Sequence, residues 1–266
     1  AVILNLPPSI RYNSANIILL AIWCGPSKPC MKLLFQPVID TLNTLYCKGI
    51  KVQTHEGPKT IHAKVLNGIF DTVAKAPVMG LKQFNGICGC PVCLHPGKRL
   101  SNNSRIYLPD EEHARRIHEE MCDIAIEVER TGISEQGILN SSPLSHILGF
   151  NLVENIPVDY MHVGPEGIVK RMMNCWFKKS NHTKAYYLGS KLKSLDSELL
   201  KQKPPHDFSR APRSIQKHMM YWKASEFRAW LLYYSLPLLL HILPPLFYHH
   251  YALLVCAFHL LLQDNL

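Results

Sequence analysis

The sequence has no internal repeat and no low-complexity tract. That excludes a solenoid, a propeller and a linker-like disordered chain. Acidic residues are scarce: 20 Asp and Glu stand against 29 Lys and Arg, a formal charge of +9. An excess of that size favours a polyanionic partner, most simply nucleic acid. Yet there is no helix-turn-helix and no zinc-finger array to read a DNA sequence, and no clear basic localisation run. The cysteines number nine, an odd and scattered set. They do not form a disulfide scaffold and point to a reducing compartment and to metal use. The opening AVILNLPPSI is too short for a secretory signal and lacks its basic flank and cleavage pattern. It reads as a strand cut open, and the closing HLLLQDNL carries no cap. The chain is therefore expected to be a piece of a longer polypeptide.

Residues 230–248 contain no Asp, Glu, Lys or Arg. The stretch approaches the length of a membrane span. Pro237, Pro244 and Pro245 cut it, however, and His241 sits in its middle. This run, and the shorter one after it with His249, His250 and His259, is read as buried core helix. A membrane hairpin is the rival reading.

What is present is ample apolar material, 47% of 266 residues, enough for one large domain or two small ones. Residues 1–6 are strand-like and stop at Pro7-Pro8. Residues 16–24 (NIILLAIWC) form a continuous β-rich run, the pattern of a strand covered on both faces. Residues 32–48 place Leu34, Val38, Ile39, Leu42 and Leu45 at helical spacing, with Gly49 as the stop. Short strands are expected over 49–54 and 61–71, the second with Asp71 at its exit. This order suggests an α/β sheet.

Further on, 109–132 reads as the clearest helix, with Asp110 as N-cap, Glu111 and Glu112 in the first turn and Gly132 at the end. His113 and His118 on it are five apart and read as a solvated face. Residues 141–150 suggest a short helical turn. A helix over 158–177 is interrupted near Gly164-Pro165 and carries Asp159, His162 and Glu166. A basic helical region over 182–200, an irregular basic loop over 201–213 and two apolar helices over 222–240 and 247–262 complete the chain.

Chemistry concentrates in residues 70–97, FDTVAKAPVMGLKQFNGICGCPVCLHPG. Asp71 ends an apolar run, where a carboxylate can hold a divalent ion; the bland reading is a helix N-cap. Cys90 and Cys93 form a C-x-x-C, and two thiolates at that spacing can share one tetrahedral Zn²⁺. Pro91 inside the motif and Pro96-Gly97 after it fit a knuckle better than the helix opening of a redox site. The alternative is a set of free or bridged loop cysteines.

The ordered motifs LPPSIR, NIILLAIW, FDTVAKAP, KQFNGICGCPVCLHPG, SPLSHIL, PVDYMHVGPEGIVKRMMNCWF, PPHDFSRAPRSI, WKASEFRAWLLYYSLPLLLHILP and YHHYALLVCAFHLLL span nearly the whole chain. Together they resemble the transposases of CACTA (En/Spm-type, tnp2-like) DNA transposons, in the divergent form found in animal genomes. The resemblance implies a ribonuclease-H-like fold with three catalytic acids on two Mg²⁺ or Mn²⁺ ions. Hard ions of this kind take oxygen ligands, and the pair drives attack on a phosphodiester.

By the same resemblance Asp71 matches the second acid, in a D-x-x-A-K-A pattern. Glu166 is the candidate third acid, with Asp159 and Glu226 as competitors. The first acid has no match in this sequence; Asp40 falls in a helix-like stretch, so the chain is expected to be catalytically incomplete. Cys90 and Cys93 match a zinc-binding C-x-x-C, with His162 as a further ligand and Cys88, His95 and His146 as alternatives. Lys170, Arg171, Lys178, Lys179, Arg210 and Arg213 are the candidate DNA contacts. Lys191, Lys193, Lys201, Lys203 and Lys217 lie in the same basic region.

The expected organisation is a partial ribonuclease-H-like α/β core over 1–87, a zinc-knuckle and helical insertion over 88–157, and a mostly α-helical part over 158–266. The expected partners are transposon ends and target DNA, with self-association of the protein, and no small-molecule substrate. A nuclear location follows from the DNA substrate. The competing reading is a domesticated remnant that keeps zinc and DNA binding without chemistry.

Overall fold

The computed structural model describes residues 1–266 apart from 102, 103, 109–111, 209 and 264–266. It divides into two compact units, Ala1–Val158 and Asp159–Leu266. Its secondary structure is mixed α/β, dominated by helix, with two small sheets among the described residues.

In the first unit the helix Met31–Cys47 follows the expected periodicity and buries Val38 and Ile39. Pro37 lies inside it and removes one backbone donor. A hairpin follows, Ile50–Thr54 against Gly57–Ile61, antiparallel and in register from Ile50↔Ile61 to Thr54↔Gly57. The helix Thr72–Val78 is next, and His118–Thr131 is the longest element after it. It ends at Gly132 with φ +73°, the left-handed stop that the sequence announced. Its buried Met121, Ala125 and Val128 meet Ile39, Val78, Met79, Leu81, Ile138 and Leu144 in one core.

One close approach orients the segment that follows Val78. Gly80 has φ +70°, and a Cβ there would lie 2.0 Å from the Asn140 carbonyl oxygen. Only glycine lets the chain pass so near. Leu139 N–H donates to Gly80 O at 2.7 Å, Leu81 bridges Ile138, and Lys82 N–H donates to Gly137 O at 2.8 Å. The cysteine-bearing turn is thereby seated against residues 136–140.

The second unit is helical. Tyr160–Val163 runs into a π-helix over Gly164–Val169 and then Lys170–Phe177, so the interruption falls where Gly164-Pro165 placed it. Leu192–Leu200, Ala224–Ala229, a second π-helical turn Trp230–Tyr234 and the 17-residue helix Pro245–Leu261 follow. Trp230, Phe227, Leu199 and Tyr251 are fully buried in their core. Trp176 meets Tyr251 edge-on at 4.9 Å, and Trp222 lies 5.4 Å from Phe227. Among the described residues no helix is long and apolar enough to cross a membrane.

Several expectations are corrected. Residues 1–6 are not a strand: Val2 makes a single bridge to Ile17. Residues 17–23 belong to no strand, and their side chains are exposed, Leu19 at 71% and Ile22 at 74%. A strand needs a neighbour to take its backbone groups, and among the described residues only Val2 and Ala1 pair with this run, at Ile17 and Ile18.

Residues 62–71 likewise form no ladder, because their N–H groups go to scattered partners, Ala63 to Leu45 O and Gly68 to Asn155 O. The α/β sheet expected from this order is replaced by antiparallel hairpins. The helix expected from 109 starts at His118, with Ile117 as its cap. Asp110 and Glu111 lie outside the described residues, and Glu112 precedes the helix.

Glu129, late in the helix His118–Thr131, accepts from Lys32 Nζ at 2.6 Å and from Ser141 N–H at 3.0 Å. The Lys32 ammonium, with the Ser141 N–H, holds its carboxyl well below the usual 4.5, at about 2. A depressed folded value means the stabilisation is complete above the ordinary value and is lost as pH falls through the folded one. Urea unfolding followed from pH 4.5 down to 2 is expected to show a steeper loss for the wild type than for Lys32→Met. In the second unit, Trp230→Ala is expected to cost about 3–5 kcal/mol through the cavity it opens, read from the denaturation midpoint.

Candidate functional site: an acid-capped helix and a cysteine turn

Asp71 stands directly before the helix Thr72–Val78 in an extended conformation and caps it. Its Oδ1 accepts from Ala74 N–H at 2.6 Å. Among the described residues Oδ2 has no hydrogen-bond partner, so half the carboxylate remains available to a ligand. One turn on, Lys75 is 8% exposed and donates from Nζ to the carbonyls of Ile156 and Pro157, at 2.9 and 3.2 Å. Burial lowers its pKa from the ordinary lysine value, opposed by the nearby Cys90. Sequence reasoning missed this residue, although it is the lysine of the D-x-x-A-K-A pattern.

The cysteine turn follows. Cys88 takes the left-handed region, φ +53°, and its Sγ lies 3.5 Å from Leu94 O. Cys90 and Cys93 face each other with their sulfurs 3.5 Å apart, and Val92 N–H donates to Cys90 Sγ at 3.5 Å. Residues 92–94 then run antiparallel to 114–116: Leu94 N–H donates to Ala114 O, Arg116 N–H donates to Val92 O, and Cys93 bridges Arg115.

Arg116 closes the arrangement. It is 4% exposed and donates from Nε to Cys90 O at 2.8 Å, and from Nη2 to Cys88 O at 2.6 Å and Gln136 O at 2.8 Å. Its Nη1 is buried with no hydrogen-bond partner. Burial pulls the guanidinium down from its ordinary value, with Cys88, Cys90 and Cys93 opposing the shift. Burial also pushes the Cys93 thiol up, with the Arg116 charge acting against it. Nothing in the sequence marked Arg116, because a buried arginine reads like any exposed one.

Two thiolates bound to one tetrahedral zinc at about 2.3 Å lie roughly 3.8 Å apart. The 3.5 Å separation of Cys90 and Cys93 fits one edge of that figure. Among the described residues no group of three or more His, Cys, Asp or Glu could hold a metal ion. The local alternatives have other partners. His95 faces Leu108 O at 3.3 Å, accepts from Gly97 N–H at 2.9 Å and lies 4.0 Å from the His113 ring.

The solvated-face expectation for His113 and His118 is therefore corrected. His113 lies tilted against the His95 ring, and His118 Nδ1 accepts from Leu152 N–H at 3.2 Å. His146 is exposed and lines a cavity of about 220 Å³ with Cys122, Met121, Ile138 and Leu152.

In the second unit, His162 Nδ1 and Asp159 Oδ2 are 2.5 Å apart, and Asp159 Oδ1 accepts from Met161 N–H. Burial works to raise the Asp159 carboxyl, but the bonds from His162 and Met161 prevail and hold it below the usual range. Glu166 lies in the π-helix Gly164–Val169 and makes no hydrogen bond or ion pair among the described residues. Glu226 is buried and fully engaged: Arg213 grips both oxygens at 2.6 and 2.7 Å, and Lys223 N–H donates to Oε2 at 2.8 Å.

That grip also commits Arg213. Lys170 lies over the Phe227 ring at 5.7 Å, whereas Arg171, Lys178, Lys179 and Arg210 are exposed. Residues 159–266 carry fourteen Lys and Arg against seven Asp and Glu, so +7 of the chain's +9 belongs to this unit.

Residues 1–130 match the transposase family tnp2. No curated protein and no solved structure matches the chain. The tnp2 match spans Asp71, Lys75, the three cysteines of the turn and Arg116. It supports a transposase-related function and, with it, action on DNA. Glu166 and the basic helical unit lie beyond the matched span.

Asp71 offers a direct check on its structural share. Asp71→Ala is expected to cost about 1 kcal/mol by loss of the cap, whereas Asp71→Asn, an equally good cap, costs far less. Urea unfolding of both variants measures this.

Proposed function

We propose that this chain carries part of the catalytic core and DNA-binding surface of a CACTA-type transposase with a ribonuclease-H-like core. The observation that carries the reading is the tnp2 match over residues 1–130, which contains an acid with an open oxygen, Asp71, one turn before a buried lysine. Hydrogen bonding separates the competing acids. Glu226 is gripped by Arg213 and Asp159 is bound to His162, while Glu166 has open oxygens. Asp71 is the acid of the first unit that would hold Mg²⁺ or Mn²⁺, and Glu166 is the acid left open in the second unit. When bound, such ions activate a water or a 3′-hydroxyl and stabilise the leaving oxygen. Cys90 and Cys93 would supply two ligands of a structural Zn²⁺, which accounts for their facing sulfurs.

The resemblance gives the first acid no match in this sequence; Asp40 lies within the helix Met31–Cys47, where its Oδ1 accepts from Gln36 at 2.9 Å. The 266 residues are therefore expected to bind DNA without cutting it. The exposed cations Arg171, Lys178, Lys179 and Arg210 neutralise phosphates in a sequence-blind manner. Transposon ends and target DNA are the intended partners, and the nucleus is where they are met.

Fluorescence anisotropy on duplex DNA over a salt series tests the binding. The affinity should fall log-linearly with salt, and the double change Lys178→Ala with Lys179→Ala should shallow the slope by about two. A protein that ignores DNA at low salt refutes the reading. Supercoiled plasmid with Mn²⁺ tests the chemistry. Background nicking is expected, and strong nicking that persists in Asp71→Asn removes Asp71 from the proposed centre.

A further inference from the structure

A turn between two buried residues of the second unit throws an aromatic side chain into solvent. Ile215 and Trp222 belong to the core of that unit. Between them the short helix Ile215–His218 passes into a 3-10 turn, Met219–Tyr221. Ser214 caps the helix by accepting from Lys217 N–H at 3.1 Å, and its hydroxyl donates to Asp196 at 2.5 Å. Asp196 also accepts from Ile215 N–H at 2.5 Å. Both ends of the turn are therefore fixed, and Met220 and Tyr221 are left 79% and 71% exposed.

The main chain of Tyr221 is held as well. Its carbonyl accepts from Arg213 Nη2 at 2.9 Å, and Arg213 is gripped by Glu226. Lys223 N–H donates to the same carboxylate, and Arg210 lies close enough for its charge to act on it. Residues 210–223 hold four Lys and Arg and no Asp or Glu. Of these, Arg210, Lys217 and Lys223 are exposed.

An exposed tyrosine alone needs no explanation. Its setting is what selects a ligand. The surrounding cations favour a polyanion. In duplex DNA the base faces are stacked inside, so the cations can hold only the backbone. An aromatic ring contributes where a base is unpaired, because every base then offers it a π surface.

We propose that Tyr221 is a stacking platform for an unpaired base of single-stranded DNA, with Arg210, Lys217 and Lys223 neutralising the phosphates beside it. This rests on the DNA-binding reading given above and adds single strands to duplex as the form bound. Arg213 and Glu226 act through the main chain: they fix the carbonyl of the residue that carries the ring.

The test is fluorescence anisotropy of the 266-residue protein with oligo(dT) and with a duplex of mixed sequence. Circular dichroism checks that each variant is folded. Tyr221→Ala should weaken oligo(dT) binding about 5–150-fold, the range of a lost stacking contact, and leave duplex affinity within about twofold. Tyr221→Phe keeps the ring and should stay within about twofold of the wild type on both. Lys217→Ala with Lys223→Ala should shallow the salt slope on oligo(dT) by about 1.4.

A wild type that ignores both forms of DNA refutes the DNA reading and this proposal with it. A wild type that binds DNA, beside a Tyr221→Ala protein that binds oligo(dT) as tightly, overturns the platform alone. So does a Tyr221→Ala protein weakened equally on duplex and single strand. Should Tyr221→Ala fail to fold, an abasic oligomer of the same length decides on the wild type. Weaker binding than oligo(dT) sustains base stacking, and equal binding removes it. Vesicles of phosphatidylcholine with phosphatidylserine test the rival anionic surface. Binding to them that depends on Tyr221, without such dependence on oligo(dT), assigns the ring to a membrane and overturns the proposal.

Discussion

The first unit depends on one kind of bond, from a long cationic side chain to main-chain carbonyls. Much of residues 62–117 is irregular, and irregular backbone has no ladder to satisfy its polar groups. Arg116 takes the carbonyls of Cys88, Cys90 and Gln136. Arg105 takes those of Asn85, Pro96 and Gly97, and Lys75 those of Ile156 and Pro157. At the start of the chain Arg11 does the same for Leu4 and Leu6. Four cations thus serve ten carbonyls where strands would have paired them with N–H groups. The geometry of the cysteine turn follows from these tethers rather than from a sheet.

This division also changes the meaning of the basic composition. Arg11, Lys75, Arg105 and Arg116 are committed to the fold of the first unit, and they cannot meet phosphates without releasing the backbone. The second unit builds its interior from aromatic and aliphatic side chains and leaves Arg171, Lys178, Lys179 and Arg210 at its surface. A count of Lys and Arg treats both groups alike. The hydrogen bonds separate structural cations from those open to a polyanion, and Arg213, gripped by Glu226, moves from the second group to the first.

The parts of the fold legible in the sequence are those fixed by local periodicity and termination. Met31–Cys47, the stop of His118–Thr131 at Gly132 and the break at Gly164-Pro165 all follow from residues within a few positions. The run 16–24 misleads because its β-rich composition says what it could pair with and not whether a strand is there to pair with it. The start of His118–Thr131 was misread for a related reason: residues 114–116 are taken by the pairing with 92–94, a tertiary demand invisible in the local pattern. At the site, Asp71 and the C-x-x-C were visible as residue types in motifs. Arg116 and Lys75 were not, since burial of a cation is decided by distant segments.

The competition among the acids shows how motif and geometry divide the work. Motif position alone left Glu166, Asp159 and Glu226 as rivals for one role. A carboxylate that must hold a divalent ion needs open lone pairs facing an accessible space. Glu226 fails that requirement: three donors occupy its two oxygens and its side chain is buried, so releasing it would strand Arg213 and uncap Ala224–Ala229. Asp159 is partly spent on His162 and on the N–H of Met161. Glu166 lies where the helix widens to π geometry, a feature frequent at functional sites because the inserted residue re-aims side chains at a cost in backbone bonding. The same criterion applied to Asp71 leaves one oxygen on the helix and one open, so its capping role and a metal-holding role are compatible in a single side chain.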